Sequence, residues 1–180
     1  MTPWLLLATA CQPSAPAEPL PAATADSHAS GWPPCDPPAL DGLLTVGQDG
    51  EAVPWSEGTP VDLVRGPQGG WHVEVGGHVH TDAPAVMAMV TAQAIDGREL
   101  IAGPELRSVP LREPASCDGI LVARGVFDPL ALEGSTLCSL DGQSITVSLT
   151  VDGDGTTLER THHNPIVIRG AGRAFCDALH

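Results

Sequence analysis

Residues 145–151 read Ile-Thr-Val-Ser-Leu-Thr-Val, apolar and polar in strict alternation. A period of two predicts a β-strand with one buried and one wet face. Gly153-Asp154-Gly155 then supplies a turn, and Thr156 to His162 returns as the hairpin partner. A second alternating run extends from Trp71 to His80. Trp71, Val73, Val75 and Val79 share one parity, while His72, Glu74, His78 and His80 share the other. A tight turn at Gly76-Gly77 would mix the two sets on each face, so the run predicts one long strand. The two glycines then mark a bulge or a close backbone approach. Further strands are expected at Leu43–Gly47, Pro60–Arg65, Val86–Ile95, Leu106–Leu111, Ile120–Phe127 and Pro165–Arg169. The Met and Ala residues of Val86–Ile95 would also suit a short helix, but the segment lacks caps and strand is preferred.

Short strands, turn signals about every ten residues and no long amphipathic helix together predict a single all-β sandwich over residues 39–180. Residues 11–38 are different. From Gln12 to Pro38 the chain is mostly Ala, Pro, Ser and Thr, which cannot bury enough surface to offset its ordering entropy, so a disordered, extended tether is expected. The segments Leu63 to His72 and Cys138 to Gln143, the latter followed by the 145–151 strand, resemble proteobacterial lipoproteins of high-GC genomes. More broadly, most of residues 40–170 resembles the immunoglobulin-like domains of bacterial envelope proteins. The resemblance implies a fold and a compartment and carries no activity, because sandwiches host many unrelated functions.

The N-terminal run Trp4-Leu5-Leu6-Leu7-Ala8-Thr9-Ala10-Cys11 resembles the lipobox of bacterial lipoproteins. That resemblance implies a signal peptide at residues 1–10, cleavage before Cys11 and a diacylglycerol on its sulfur. The apolar run is far too short to span a bilayer. No Lys or Arg precedes it, which departs from the usual signal peptide. In lipoproteins of this kind an Asp after the lipidated cysteine commonly retains the protein at the inner membrane. Gln12 stands there instead, which implies the outer membrane. Two or more acyl chains anchor stably, so the membrane becomes a partner through lipid alone.

Charge narrows the partners further. Net charge is −14, with eight Arg and no Lys, and such a surface repels nucleic acid and anionic headgroups. After Cys11, four cysteines remain: Cys35, Cys117, Cys138 and Cys176. An even count in an exported chain reads as disulfides, with three possible connectivities. Chain order favours Cys35–Cys176 and Cys117–Cys138. None of them form a C-x-x-C pair, which argues against a zinc knuckle or a thioredoxin-type site.

One cluster could carry chemistry. His78 and His80, two apart on a strand, put two imidazoles on one face, with His72 and Glu74 on the same parity. If Val86–Ile95 pairs antiparallel with that strand, Met87 and Met89 come alongside, and imidazole with thioether is a copper-type ligand set. Against this, histidines are ordinary on a wet strand face and methionines fill cores. Asp152-Gly153-Asp154-Gly155 lacks the later ligands of a calcium loop and reads as a turn; Asp141-Gly142 and Asp118-Gly119 likewise read as turns. No G-x-S-x-G elbow, H-E-x-x-H helix or phosphate-cradling loop occurs, and no catalytic residue is nominated. The expectation is therefore a non-enzymatic, lipid-anchored module that binds an envelope protein or glycan, or serves as an accessory subunit. The alternative is a copper- or zinc-binding periplasmic protein using His72, His78, His80, Met87 and Met89.

Overall fold

A computed structural model describes residues 39–115, 117–128, 137–153 and 156–179. The described chain forms eleven strands, one 3-10 turn and one short helix, arranged as two facing sheets. This is an all-β sandwich, the architecture that immunoglobulin-like domains share. Sheet I has the order β2 (Ala52–Pro54), β1 (Ala39–Val46), β5 (Trp71–His80), β9 (Asp118–Val126), β8 (Arg112–Ala115), and β4 (Val64–Arg65) also pairs with β5. Sheet II has the order β3 (Val61–Asp62), β11 (Thr156–Val167), β10 (Ser144–Gly153), β6 (Ala85–Ala94), β7 (Arg107–Pro110). All pairings are antiparallel except β3 with β11.

The alternating runs build the core. On β5, Trp71, Val73, Val75 and Val79 are buried, while the four polar residues of opposite parity are only partly so. Leu121 and Ala123 of β9 join them from the same sheet. Val86, Ala88, Val90 and Ala92 of β6, with Ile145, Val147, Leu149 and Val151 of β10, face them from sheet II in one continuous cluster. Each fully buried valine or leucine of this set contributes roughly 1.5–3 kcal/mol.

β5 is a single strand through its two glycines. A Cβ on Gly76 would lie 1.9 Å from the Leu121 carbonyl oxygen, and one on Gly77 would lie 2.6 Å from that of Asp41. The glycines therefore admit a close backbone approach. The bulge sits on the neighbour, where the β1 register shifts between Asp41 and Leu44 and Gly42 takes φ +47°. Only glycine adopts that conformation without strain, and the His78 ring fills the space where a Cβ would go.

Several expectations about elements are corrected. Val86–Ile95 does form a strand, β6, but it belongs to the sheet opposite β5 and pairs with β10 and β7. The Pro60–Arg65 segment is two short strands that switch sheets at the fully buried Leu63. Pro165 lies inside β11, with the strand running to Val167. Asp118-Gly119 opens β9 instead of forming a turn. The hairpin of β10 and β11 closes at the pair Gly153 and Thr156; Asp154 and Gly155 lie outside the described residues.

Helix α1 (Gly170–Asp177) was not foreseen. It docks by Phe175, edge-on to Trp71 with ring centroids 6.0 Å apart, and by the buried Cys176. The Arg65 guanidinium stacks 4.2 Å over the Phe175 ring. Asp141 fixes the helix start, accepting the Ile168 N–H at 2.8 Å and pairing with Arg173. Among the described residues, no helix is long and apolar enough to cross a membrane.

Candidate functional site

Pleating of β5 places His72, Glu74, His78 and His80 on the outer face of sheet I, as the sequence parity requires. Each imidazole there has a carboxylate beside it. His72 Nε2 lies 3.5 Å from Glu74 Oε1, His78 Nδ1 3.3 Å from Asp118 Oδ1, and His80 Nε2 3.4 Å from Asp41 Oδ2. Glu74 also takes both the Nε of Arg124, at 2.9 Å, and its Nη2. The hydrogen bond from His72 and the Arg124 guanidinium hold the Glu74 carboxyl at about 2, against an ordinary 4.5, although partial burial opposes them.

Met87 and Met89 do not join this stripe. They lie on the outer-facing parity of β6 in sheet II, whose inward parity is Val86, Ala88 and Val90. The expected five-residue copper or zinc set is therefore divided between the outer faces of two different sheets. The cause is the connection between β5 and β6, which crosses from one sheet to the other where an antiparallel hairpin had been expected. Among the described residues, no group of three or more His, Cys, Asp or Glu side chains is placed to hold a metal ion.

The other polar clusters hold the fold together. Asn164 is fully buried; its amide accepts from Trp55 Nε1 at 2.9 Å and donates to the Ser56 and Thr59 carbonyls at 2.8 Å each. His162 stands edge-on to Trp55, with centroids 4.9 Å apart, while His163 on the opposite parity meets Thr146. The expected disulfide pairing is overturned. Cys138 bonds to Cys176, with Cα atoms 5.6 Å apart, and joins the 3-10 turn Leu137–Leu140 to α1. Cys117 is also disulfide-bonded, to a partner beyond the described residues. Cys11 and Cys35 lie outside those residues.

The feature that sequence reasoning missed is a groove on the side of the sandwich, a cavity of about 330 Å³. β8 pairs only with the beginning of β9, at Ile120 and Asp118. At the far end the Ala102 N–H donates to the Val126 carbonyl at 2.8 Å. Between these points, no strand of the described residues covers the outer edge of β9. Groups that point outward alternate along a strand, so the N–H and C=O of Val122 and Arg124 share the direction of the Val126 carbonyl and face the groove. β6 and β7 form its opposite wall, with Val90 and Val109 among the apolar lining. Five charged residues also line it: Glu74, Glu105, Arg107, Arg112 and Arg124. Arg107 pairs with Glu105 at 2.7 Å and Arg124 with Glu74. The exposed Arg112 has no acidic partner among the described residues. One signal did exist in the sequence: three of the eight arginines fall within residues 107–124.

No protein-family model and no curated protein matches the sequence. Among solved structures, the chain is similar to the CooA pilin subunit from enterotoxigenic Escherichia coli. The identity is 12%, covering 72% of this chain and 100% of that one, with a TM-score of 0.30.

Proposed function

We propose that this protein is a non-enzymatic binding module of the bacterial cell envelope, anchored by lipid on Cys11 and probing its surroundings with the side groove of the sandwich. The observation that carries the binding role is the open β9 edge. Peptide groups that could extend the sheet lie beside apolar side chains and an unpaired guanidinium. A groove that combines apolar walls with a few directed polar groups is a common form of binding site. The anchor rests on the Trp4 to Cys11 run and on the Gln12 that follows it, which favours the outer membrane. An Ala/Pro-rich tether of residues 11–38 would let the domain reach a protein or glycan beside the membrane.

A photo-crosslinking amino acid at Ser108, on the groove wall, tests the reading in cells of the native host. Irradiation should give a discrete higher-mass adduct from the membrane fraction. The same probe at Thr157, on exposed β11, should give none. Absence of any adduct at Ser108, or equal adducts at both positions, would remove the groove as the binding surface.

A further inference from the structure

We infer that the groove takes an acidic peptide segment in extended conformation, added as a strand along the outer edge of β9. The inference rests on the binding-module reading above and names its ligand. Two independent features of the groove converge on this chemistry.

The first is the backbone. From Ile120 to Val126 the β9 edge runs seven residues, about 20 Å over six steps at a strand's rise. Both ends are occupied, by Arg112 of β8 at one and by Ala102 at the other. The middle, which no strand of the described residues pairs, offers two outward N–H and two outward C=O groups, at Val122 and Arg124. An extended peptide satisfies such a ladder; a compact small molecule does not.

The second is charge. The whole chain carries −14, yet the groove lining sets three guanidiniums against two carboxylates. Both carboxylates are already engaged, Glu105 by Arg107 and Glu74 by Arg124. Glu74 stays ionised throughout the physiological range and so holds Arg124 in place at the groove mouth. That leaves the Arg112 guanidinium, with its fork of donors, as a carboxylate receptor at the β8 end of the edge. Locally positive lining on an acidic molecule also focuses anions into the cleft while the remaining surface repels them. An acidic strand is therefore selected at this edge and disfavoured elsewhere on the protein.

The test uses capped heptapeptides that alternate valine with glutamate, glutamine or lysine, titrated against the purified 11–180 chain in low salt. The glutamate peptide should bind at least about tenfold more tightly than its glutamine twin, and the lysine version should not bind. Arg112→Glu should abolish the preference for glutamate. Methylating the glutamate peptide's alternate backbone nitrogens should abolish binding to the wild-type protein, a readout that needs no protein variant. On binding, the Val122 and Arg124 amides should become protected from hydrogen exchange. Equal binding of glutamate and glutamine peptides would overturn the inference. So would competition by free glutarate at equal concentration, protection mapping to another edge, or Val122 and Arg124 amides already protected in the free protein by its own N-terminal segment. If Ser108 crosslinks in cells while all three peptides stay silent, the peptide inference fails and the binding-module reading survives. If Ser108 gives no adduct, the reading itself fails.

Discussion

Glu74 is held between an imidazole and a guanidinium on the outer face of sheet I, and this links its ionisation to folding. Its carboxyl sits at about 2 when folded and near 4.5 otherwise. The folded state therefore prefers the charged form. The resulting stability is complete above pH 4.5 and is lost as pH falls through the folded value of about 2. After allowance for solvent screening beside the exposed Arg124, the contribution is of order 1–2 kcal/mol. Glu74→Gln should therefore cost about that much at pH 7 and flatten the acid limb of the stability curve. Urea unfolding at pH 7, 4 and 3 measures it. Superimposed curves for the two proteins would show that the His72 and Arg124 contacts contribute nothing. The parity of this residue was legible in the sequence, because a strand's period of two needs no knowledge of neighbours. Its partner was not legible. Arg124 is 50 positions away and meets Glu74 only because β5 and β9 pair in a register that places the two opposite each other.

At the level of elements the same division holds. Alternation located β5, β6, β9 and β10, yet it could not assign β6 to a sheet, since Val86–Ile95 presents the same period whichever neighbour it takes. That one uncertainty carried the methionines into a site with the histidines. β2 and β8 are too short to show periodicity, and α1 is a Gly- and Ala-containing stretch whose position depends on Trp71, Asp141 and Cys138. The Cys138–Cys176 bond is the strongest of these ties. It spans 38 residues, and a loop of that length constrains the unfolded chain by about 4 kcal/mol in the chain-entropy account. The double variant C138S/C176S should lose a substantial part of that figure, measured by denaturant unfolding. Hydrogen exchange should quicken first in α1, which has no side-chain cap at its start. A double variant as stable as wild type, with unchanged α1 protection, would show that packing of Phe175 and Arg173 holds the helix unaided.

Over the whole molecule, the cysteines supply a test of the proposed lipid anchor. Five are present; Cys138 and Cys176 take each other, and Cys117 is disulfide-bonded as well. Within the chain, this leaves Cys11 or Cys35 to bond Cys117. A lipidated Cys11 has no free sulfur, so the lipoprotein reading requires Cys35–Cys117. Non-reducing peptide mapping of protein from its native host should therefore find Cys35 joined to Cys117, with Cys11 at the mature N-terminus carrying acyl mass. Cys11→Ser should release the protein from membranes, since an acidic domain offers no second attraction to anionic lipid. Its melting temperature should stay within about 1 °C of wild type, because under the lipoprotein reading Cys11 bears lipid and closes no cross-link in the fold. Cys35→Ser should do the reverse, keeping the protein on membranes while lowering its melting temperature by several degrees through loss of the cross-link. A Cys11–Cys117 bond would defeat the lipid anchor outright, because the one sulfur that the signal sequence presents for acylation would already be committed to the fold.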